Sequence, residues 1–148
     1  MADDSKSEMP QTTAGRIEML RNKRAELQKL GGEARIEKQH KAGKLTARER
    51  IARFVDPDSF QEQDAFAKHR GTYFGMAGRD LPADGVITGS GAVDGRLVHL
   101  ASQDFTVSGG TGGEIHCNKI VSMMQASLKT GSPFIFVNDS GGARIQEG

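Results

Sequence analysis

The dipeptide Asp94-Gly95 stands between two apolar-rich runs, GVITGSGAV before it and RLVHLASQ after it. No other feature of the chain narrows its fold as much. A two-residue loop of this kind needs positive φ at both positions, which Gly accepts freely and Asp tolerates, so it joins two antiparallel strands. The expected hairpin covers roughly 85–93 and 96–102. Next come DFTVSGGTGG and a segment, 114–130, with helical spacing of apolar residues. Cys117, Ile120, Val121, Met124 and Leu128 fall on one face of that helix. Gly131 suits a left-handed C-terminal cap, with Pro133 two residues beyond. The apolar run 134–137 reads as a buried strand. Strand, helix, strand in this order implies an α/β fold, with a right-handed crossover in a mostly parallel region.

Upstream of the hairpin the pattern is helical. Residues 1–12 are polar and expected to be a disordered tail. Residues 13–57 read as a helical arm. Ile17, Leu20, Leu27 and Leu30 recur at threes and sevens, Thr12 or Thr13 can cap the start, and Gly31-Gly32 ends the helix. EARIEKQHKAGK follows as a solvated helix. LTARERIARFV carries a capping box, Thr46 with Glu49, with Ile51, Phe54 and Val55 as its buried side and Asp56-Pro57 as its stop. Residues 60–84 are mixed, with loops at Gly71, Gly75, Gly78 and Pro82. The stretch 58–148 reads as the start of a domain that is incomplete at its C-terminal end, because a strand-to-turn junction is followed by nothing.

Composition removes several classes. Twenty basic and nineteen acidic residues give a formal charge of +1, so no nucleic-acid footprint is expected. A single cysteine, Cys117, excludes an intrachain disulfide and suits a reducing, cytoplasmic setting. No apolar run approaches the ~20 residues of a membrane span, so no direct membrane insertion is expected. The acidic start MADDSKSEMP is unlike a signal or transit peptide.

Two glycine-rich turns carry the chemistry. In Asn138-Asp139-Ser140-Gly141-Gly142-Ala143, Ser140 lacks the glycine two residues before it that a nucleophile elbow requires; Asn138 stands there. Asp139 and Ser140 are expected to bond amides of their own turn. Gly141-Gly142-Ala143 is nearly bare backbone, which a ligand oxygen can approach closely. If a helix begins here, its unpaired first-turn amides form an oxyanion hole; on these residues alone a plain tight turn is the simpler reading. Gly109-Gly110-Thr111-Gly112-Gly113 precedes a helix and is either a bare loop or an anion cradle, and no Gly-Lys-Ser/Thr makes it a Walker loop. His40, His69, His99, His116 and Cys117 have no metal-ligand spacing and are expected to be structural, so no metal is assigned.

Four segments together resemble one family: GGEARIEKQHKAGK, GKLTARERIARFVDPDSF, LPADGVITGSGAVDGRLVHLASQDFTVSGGTGGEIHCNKI and GSPFIFVNDSGGARIQEG. They resemble the N-terminal part of carboxyltransferase subunits of biotin-dependent acyl-CoA carboxylases. The propionyl-CoA carboxylase β chains and the large subunits of methylmalonyl-CoA carboxyltransferases are the nearest kinds. The resemblance implies a crotonase-like fold of ββα units wound into a spiral, here truncated, with a helical N-terminal arm and with 58–148 as the start of the acyl-CoA-binding domain. It implies carboxyl transfer between carboxybiotin and the α-carbon of a short acyl-CoA of the propionyl-CoA/methylmalonyl-CoA class, with the fragment inactive alone. Carried onto this chain, the amides of Gly142 and Ala143 become the oxyanion donors. Gly109, Gly110, Thr111, Gly112, Gly113 and Gly141 lie along the CoA path. No cofactor is covalently bound; carboxybiotin arrives on a partner carrier protein, and acyl-CoA is the substrate. The implied partners are a biotin carboxyl carrier subunit, a biotin carboxylase subunit or its equivalent, and further copies of the full-length chain. Two alternatives stand beside this: the α chain of a biotin-dependent methylmalonyl-CoA decarboxylase, and a non-catalytic CoA-binding or assembly module.

Overall fold

A computed structural model describes residues 11–147, so the expected tail lies, but for residues 11 and 12, outside the described residues. The arm holds α1 (Thr13–Gln28), α2 (Glu33–Lys41) and α3 (Ala47–Phe54). The hydroxyl of Thr12 caps α1 by accepting from Gly15 N at 3.1 Å. The α3 capping box is present in both directions: Glu49 N donates to the Thr46 hydroxyl, and Thr46 N donates to the Glu49 carboxylate at 2.8 Å.

One sheet follows, in the order β1 (Gln61–Gln63), β2 (Val86–Val93), β3 (Arg96–Gln103), β4 (Phe134–Val137). The hairpin forms as the dipeptide requires, with Asp94 at φ 50° and Gly95 at φ 73° and Val93 opposite Arg96. The region is not mostly parallel. β1–β2 and β2–β3 are antiparallel, and only β3–β4 is parallel, joined through α4 (Glu114–Thr130). The short strand β1 was not legible in the sequence. It is seated on Gly89, where an added Cβ would overlap the carbonyl oxygen of Gln61 and the ring of Phe60.

The period of two along the strands sorts the core. Ile87, Val98, Leu100 and Ile135 face α3 and the loops, joining Leu30, Ile51, Val55, Met76, Leu81 and Val107 in the main core. Val86, Ala101 and Phe134 face α4 and meet Ile120. The sheet therefore lies between the arm and α4.

Two expectations about burial fail. Phe54 is 42 % exposed while Ile51 and Val55 are buried. β4 is half-buried rather than buried. On α4 the buried residues are His116, Lys119, Ile120 and Met123; of the apolar face, Cys117, Val121, Met124 and Leu128 are exposed and Ile120 is buried. The cause lies under the helix. Residues Ala83, Asp84 and Gly85 adopt φ of 51°, 50° and 72°, a left-handed turn that costs roughly 1–2 kcal/mol per non-glycine residue. Lys119 Nζ donates to the carbonyls of Ala83 and Val86 at 2.7 and 2.6 Å, and His116 binds Asp84. Satisfying those buried backbone acceptors turns polar α4 residues inward.

Candidate functional site

Three buried aspartates, each in an apolar or glycine-rich setting, join distant segments. Asp104, at the end of β3, is fully buried. Its Oδ1 accepts from the amide of Thr106 at 2.8 Å and from the Thr106 hydroxyl, and its Oδ2 accepts from Ala47 N, in the first turn of α3, at 2.8 Å. A carboxylate at a helix N-terminus satisfies an orphan amide and meets the positive end of the dipole.

Asp84 does the same for α4. Its carboxylate accepts from His116 N at 2.8 Å, and its main-chain carbonyl accepts from His116 Nδ1 at 2.8 Å. Its other oxygen meets the buried guanidinium of Arg144 at 2.6 Å. Arg144 also reaches Glu147 at 2.7 Å and the carbonyl of Thr111 at 2.8 Å. Burial opposes ionisation of Glu147, but the bonds from Arg144 and the amide of Glu114 outweigh it and hold its pKa below the usual value. The amide of Glu114 donates to Glu147 at 3.0 Å. The amides of Glu114 and His116 in the first turn of α4 are thus taken by the chain's own carboxylates.

Asp139 is the third. It does not bond its own turn. Gln39, Lys44 and Arg50 grip its carboxylate at 2.8, 2.5 and 3.1 Å, tying arm to turn. Its amide donates to the Gln103 side-chain oxygen at 3.2 Å, and the Gln103 amide nitrogen meets His116 Nε2 at 3.1 Å. A continuous chain of bonds thus runs from Asp84 through His116 and Gln103 to the 139–144 turn. None of the three aspartates was singled out for this in the sequence; their setting in PADGV, SQDFTV and VNDSGG, each without a neighbouring cation, is the only local trace.

The turn itself is held by two braces. Gly112 N donates to the carbonyl of Gly142 at 2.9 Å and Arg144 N donates to the carbonyl of Gly112 at 2.8 Å, a parallel bridge that pairs Gly112 with Ala143. No helix begins here among the described residues. Ser140 does bond its own turn: its hydroxyl accepts from Gly142 N at 3.0 Å. The amide of Ala143 points to no acceptor among the described residues, and Gly141, Gly142 and Ala143 are exposed. A groove of about 610 Å³ lies alongside, with Gly112, Cys117, Phe136, Asn138, Ser140 and Gly142 among its walls.

The glycine loop divides by packing. An added Cβ at Gly110 would overlap the carbonyl of Asp139, and one at Gly113 would overlap Glu147, so these two are small for internal reasons. Thr111 is spent on Arg144 and on the Ser108 carbonyl. Gly109 and Gly141 keep open outer faces, and the amide of Gly141 donates to the carbonyl of Gly109 at 2.9 Å. Gly112 has both main-chain groups in the bridge to the turn. No cluster of three His, Cys, Asp or Glu residues able to hold a metal occurs among the described residues. No helix there is long and apolar enough to cross a membrane.

Comparison with known proteins agrees over nearly the whole chain. Residues 38–148 match the family model described as a carboxyl transferase domain. The 12S subunit of methylmalonyl-CoA carboxyltransferase from Propionibacterium freudenreichii subsp. shermanii is 53% identical over 148 residues, all of this chain and 28% of that subunit. The methylmalonyl-CoA decarboxylase α subunit of Veillonella parvula is 52% identical over 136 residues, 92% of this chain and 27% of that one. The crystal structure of the transcarboxylase 12S hexamer, with methylmalonyl-coenzyme A and methylmalonic acid bound, superposes with a TM-score of 0.93 at 55% identity, covering 95% of this chain and 28% of that one. The chain thus spans just over a quarter of the length of the curated relatives it matches.

Proposed function

The chain belongs to the carboxyl transferase domain family, with a crotonase-like α/β fold, and on that premise we propose that it is the acyl-CoA side of a biotin-dependent carboxyltransferase. The substrate in this reading is a short acyl-CoA of the propionyl-CoA/methylmalonyl-CoA class, and 58–148 is the start of the domain that binds it. One observation carries it most: the exposed amide of Ala143, without an acceptor among the described residues, on a bare turn braced from both sides by the buried Asp139 and Arg144.

A preorganised amide is worth most where charge develops during the reaction. The thioester oxygen of an acyl-CoA gains negative charge when its α-carbon loses a proton, and the Ala143 amide would stabilise that enolate. The amide of Gly142 can serve as a second donor once it exchanges the Ser140 hydroxyl for the substrate oxygen. The chemistry asks for no side-chain nucleophile, in accord with a Ser140 engaged only in its turn. Carboxybiotin supplies the carboxyl group, carried by a partner protein; a carrier subunit, a biotin carboxylase subunit and further copies of the chain complete the assembly, in the cytoplasm. A decarboxylase α chain uses the same acyl-CoA side, and the 52% identity to one supports it as a second reading that partner subunits would separate.

The test is Ala143→Pro in a subunit of the relatives' full length. Proline deletes the amide hydrogen. Turnover falls by ~10²–10³ with a smaller change in acyl-CoA affinity. Ser140→Ala stays within about tenfold. A folded, fully active Ala143→Pro enzyme, or an inactive Ser140→Ala enzyme, overturns the backbone-oxyanion reading.

A further inference from the structure

Resting on the acyl-CoA reading above, we propose that Arg50 of α3, with Gln39 of α2 beside it, is a positioning residue for enolate formation: through Asp139 the helical arm sets where the Ala143 amide points. That amide meets no acceptor among the described residues, so no bond of its own fixes its direction. Its direction is inherited from the two ends of the bare turn. At one end Arg144 N is bonded to the carbonyl of Gly112. At the other stands Asp139, and each of its polar groups is confined. Its amide donates to the Gln103 side chain at 3.2 Å. Its carbonyl lies so close to Gly110 that an added Cβ there would stand 2.2 Å from the oxygen. Its carboxylate takes three donors, all from the arm.

The three donors are unequal. The Lys44 side chain is 48 % exposed, and water takes most of the hold of an exposed ammonium. Gln39 is buried, and the Arg50 side chain is only 19 % exposed. Arg50 also reaches furthest. Its Nη2 donates to the Gln103 carbonyl at 2.9 Å and to Asp139 at 3.1 Å, and its Nε donates to the Thr46 carbonyl at 3.3 Å. One planar group thus joins the N-cap of α3, the end of β3 and the turn after β4. The helix is itself pinned there, because Ala47 N donates to the buried Asp104. Asp104 fixes α3, α3 fixes Arg50, and Arg50 fixes Asp139. Charge is a costly way merely to hold an arm on a sheet, since apolar side chains do so without desolvating ions, and Leu30, Ile51 and Val55 already do. A guanidinium on a carboxylate adds direction. A lone amide aimed at developing charge needs direction, because a displacement of about 1 Å costs on the order of 10²-fold in rate.

The experiment is a double-mutant cycle on turnover of propionyl-CoA, in the same full-length subunit as the Ala143→Pro test. Arg50→Met, Ala143→Pro and the two together are compared, with Arg53→Met, an exposed cation of the same helix, as control. Arg50→Met lowers kcat by about 10- to 100-fold and leaves KM for propionyl-CoA within about threefold, while Arg53→Met changes neither. In the Ala143→Pro background Arg50→Met costs less than about threefold, because the amide it positions is already gone. A loss of folded enzyme would instead multiply in both backgrounds. Arg50→Lys recovers part of the rate, since an ammonium cannot serve Asp139, Gln103 and Thr46 together. If Arg50→Met does not fold, the cycle is run with Arg50→Lys. Equal losses in both backgrounds overturn the positioning role and leave the oxyanion reading standing on Ala143→Pro alone. An unchanged kcat, a raised KM with kcat intact, or an equal loss in Arg53→Met overturns it as well. A fully active Ala143→Pro enzyme overturns the oxyanion reading, and the positioning role with it.

Discussion

His116 is joined to Asp84 twice: its amide donates to the Asp84 carboxylate and its Nδ1 to the Asp84 carbonyl, each at 2.8 Å. A carbonyl can only accept, so Nδ1 carries the hydrogen, and Nε2 is left to accept from the Gln103 side chain. The ring is neutral in this arrangement. A protonated ring would force Gln103 to present its oxygen to Nε2, and that oxygen already holds the amide of Asp139.

The first prediction is a pH dependence. Burial lowers the pKa of His116; the Asp84 bond and charge oppose this, while Arg144 and Lys119 add to it. A histidine depressed in the folded state contributes stability that is present above its unfolded pKa of ~6.5 and is lost as pH falls below it. Urea midpoints should drop as pH falls from about 7.5 to about 5, and His116→Gln should abolish that slope. A flat wild-type profile contradicts the assignment.

Lys119 predicts the opposite end of the scale. Burial, opposed by Glu62, Asp64 and Asp84, lowers its pKa to about 8. Between about 8 and its unfolded value of ~10.4 the unfolded chain binds more protons, so stability rises with pH by roughly 3 kcal/mol. Lys119→Met removes the rise. The variant is also less stable above that window, because the Ala83 and Val86 carbonyls lose their donor, at about 1–3 kcal/mol each.

Arg144→Met removes the ion-pair partner of the fully buried Asp84, for an expected loss of about 3–5 kcal/mol in denaturant unfolding. Arg144→Lys recovers only part of it, because one ammonium cannot serve Asp84, Glu147 and Thr111 together as the planar fork does. Equal stability of the Lys variant and the wild type would show that charge alone suffices.

Gly109 and Gly110 have nearly the same φ, 64° and 62°, but different surroundings. Gly109→Ala pays for the left-handed backbone alone, roughly 1–2 kcal/mol. Gly110→Ala adds a clash with the carbonyl of Asp139 and should exceed 3 kcal/mol or prevent folding. Similar unfolding midpoints for the two variants would refute the packing argument.

Asp139→Asn removes the charge that Lys44 and Arg50 grip. The expected consequence is local: amide exchange in α2 speeds up by on the order of tenfold, while the β2–β3 hairpin is unaffected. Uniform acceleration across the chain, measured by hydrogen exchange, contradicts a clamp between arm and turn.

Elements defined by neighbours in sequence were legible. The Asp94-Gly95 hairpin, the Thr46–Glu49 capping box and the Gly131 cap depend on residues a few positions apart, and all three stand as expected. The bare turn of Gly141-Gly142-Ala143 was visible for the same reason: absent side chains can be read directly. What escaped were bonds between segments. The pairing of Gln39 with Asp139, of Asp84 with Arg144 and of Ala47 with Asp104 spans 100, 60 and 57 residues.

The orientation of α4 shows the division most clearly. Its sequence determines that it is a helix, where it starts and where it stops. Apolar spacing favours Cys117, Val121, Met124 and Leu128 as the inner face, and the folded chain turns His116, Lys119 and Met123 inward instead. Local hydrophobicity registers only the gain from burying carbon. It contains no record of the left-handed turn at 83–85, whose buried carbonyls and carboxylate need donors from above. Leaving those groups unpaired costs about 1–3 kcal/mol each, a cost that only the tertiary structure creates and that His116 and Lys119 relieve by facing inward.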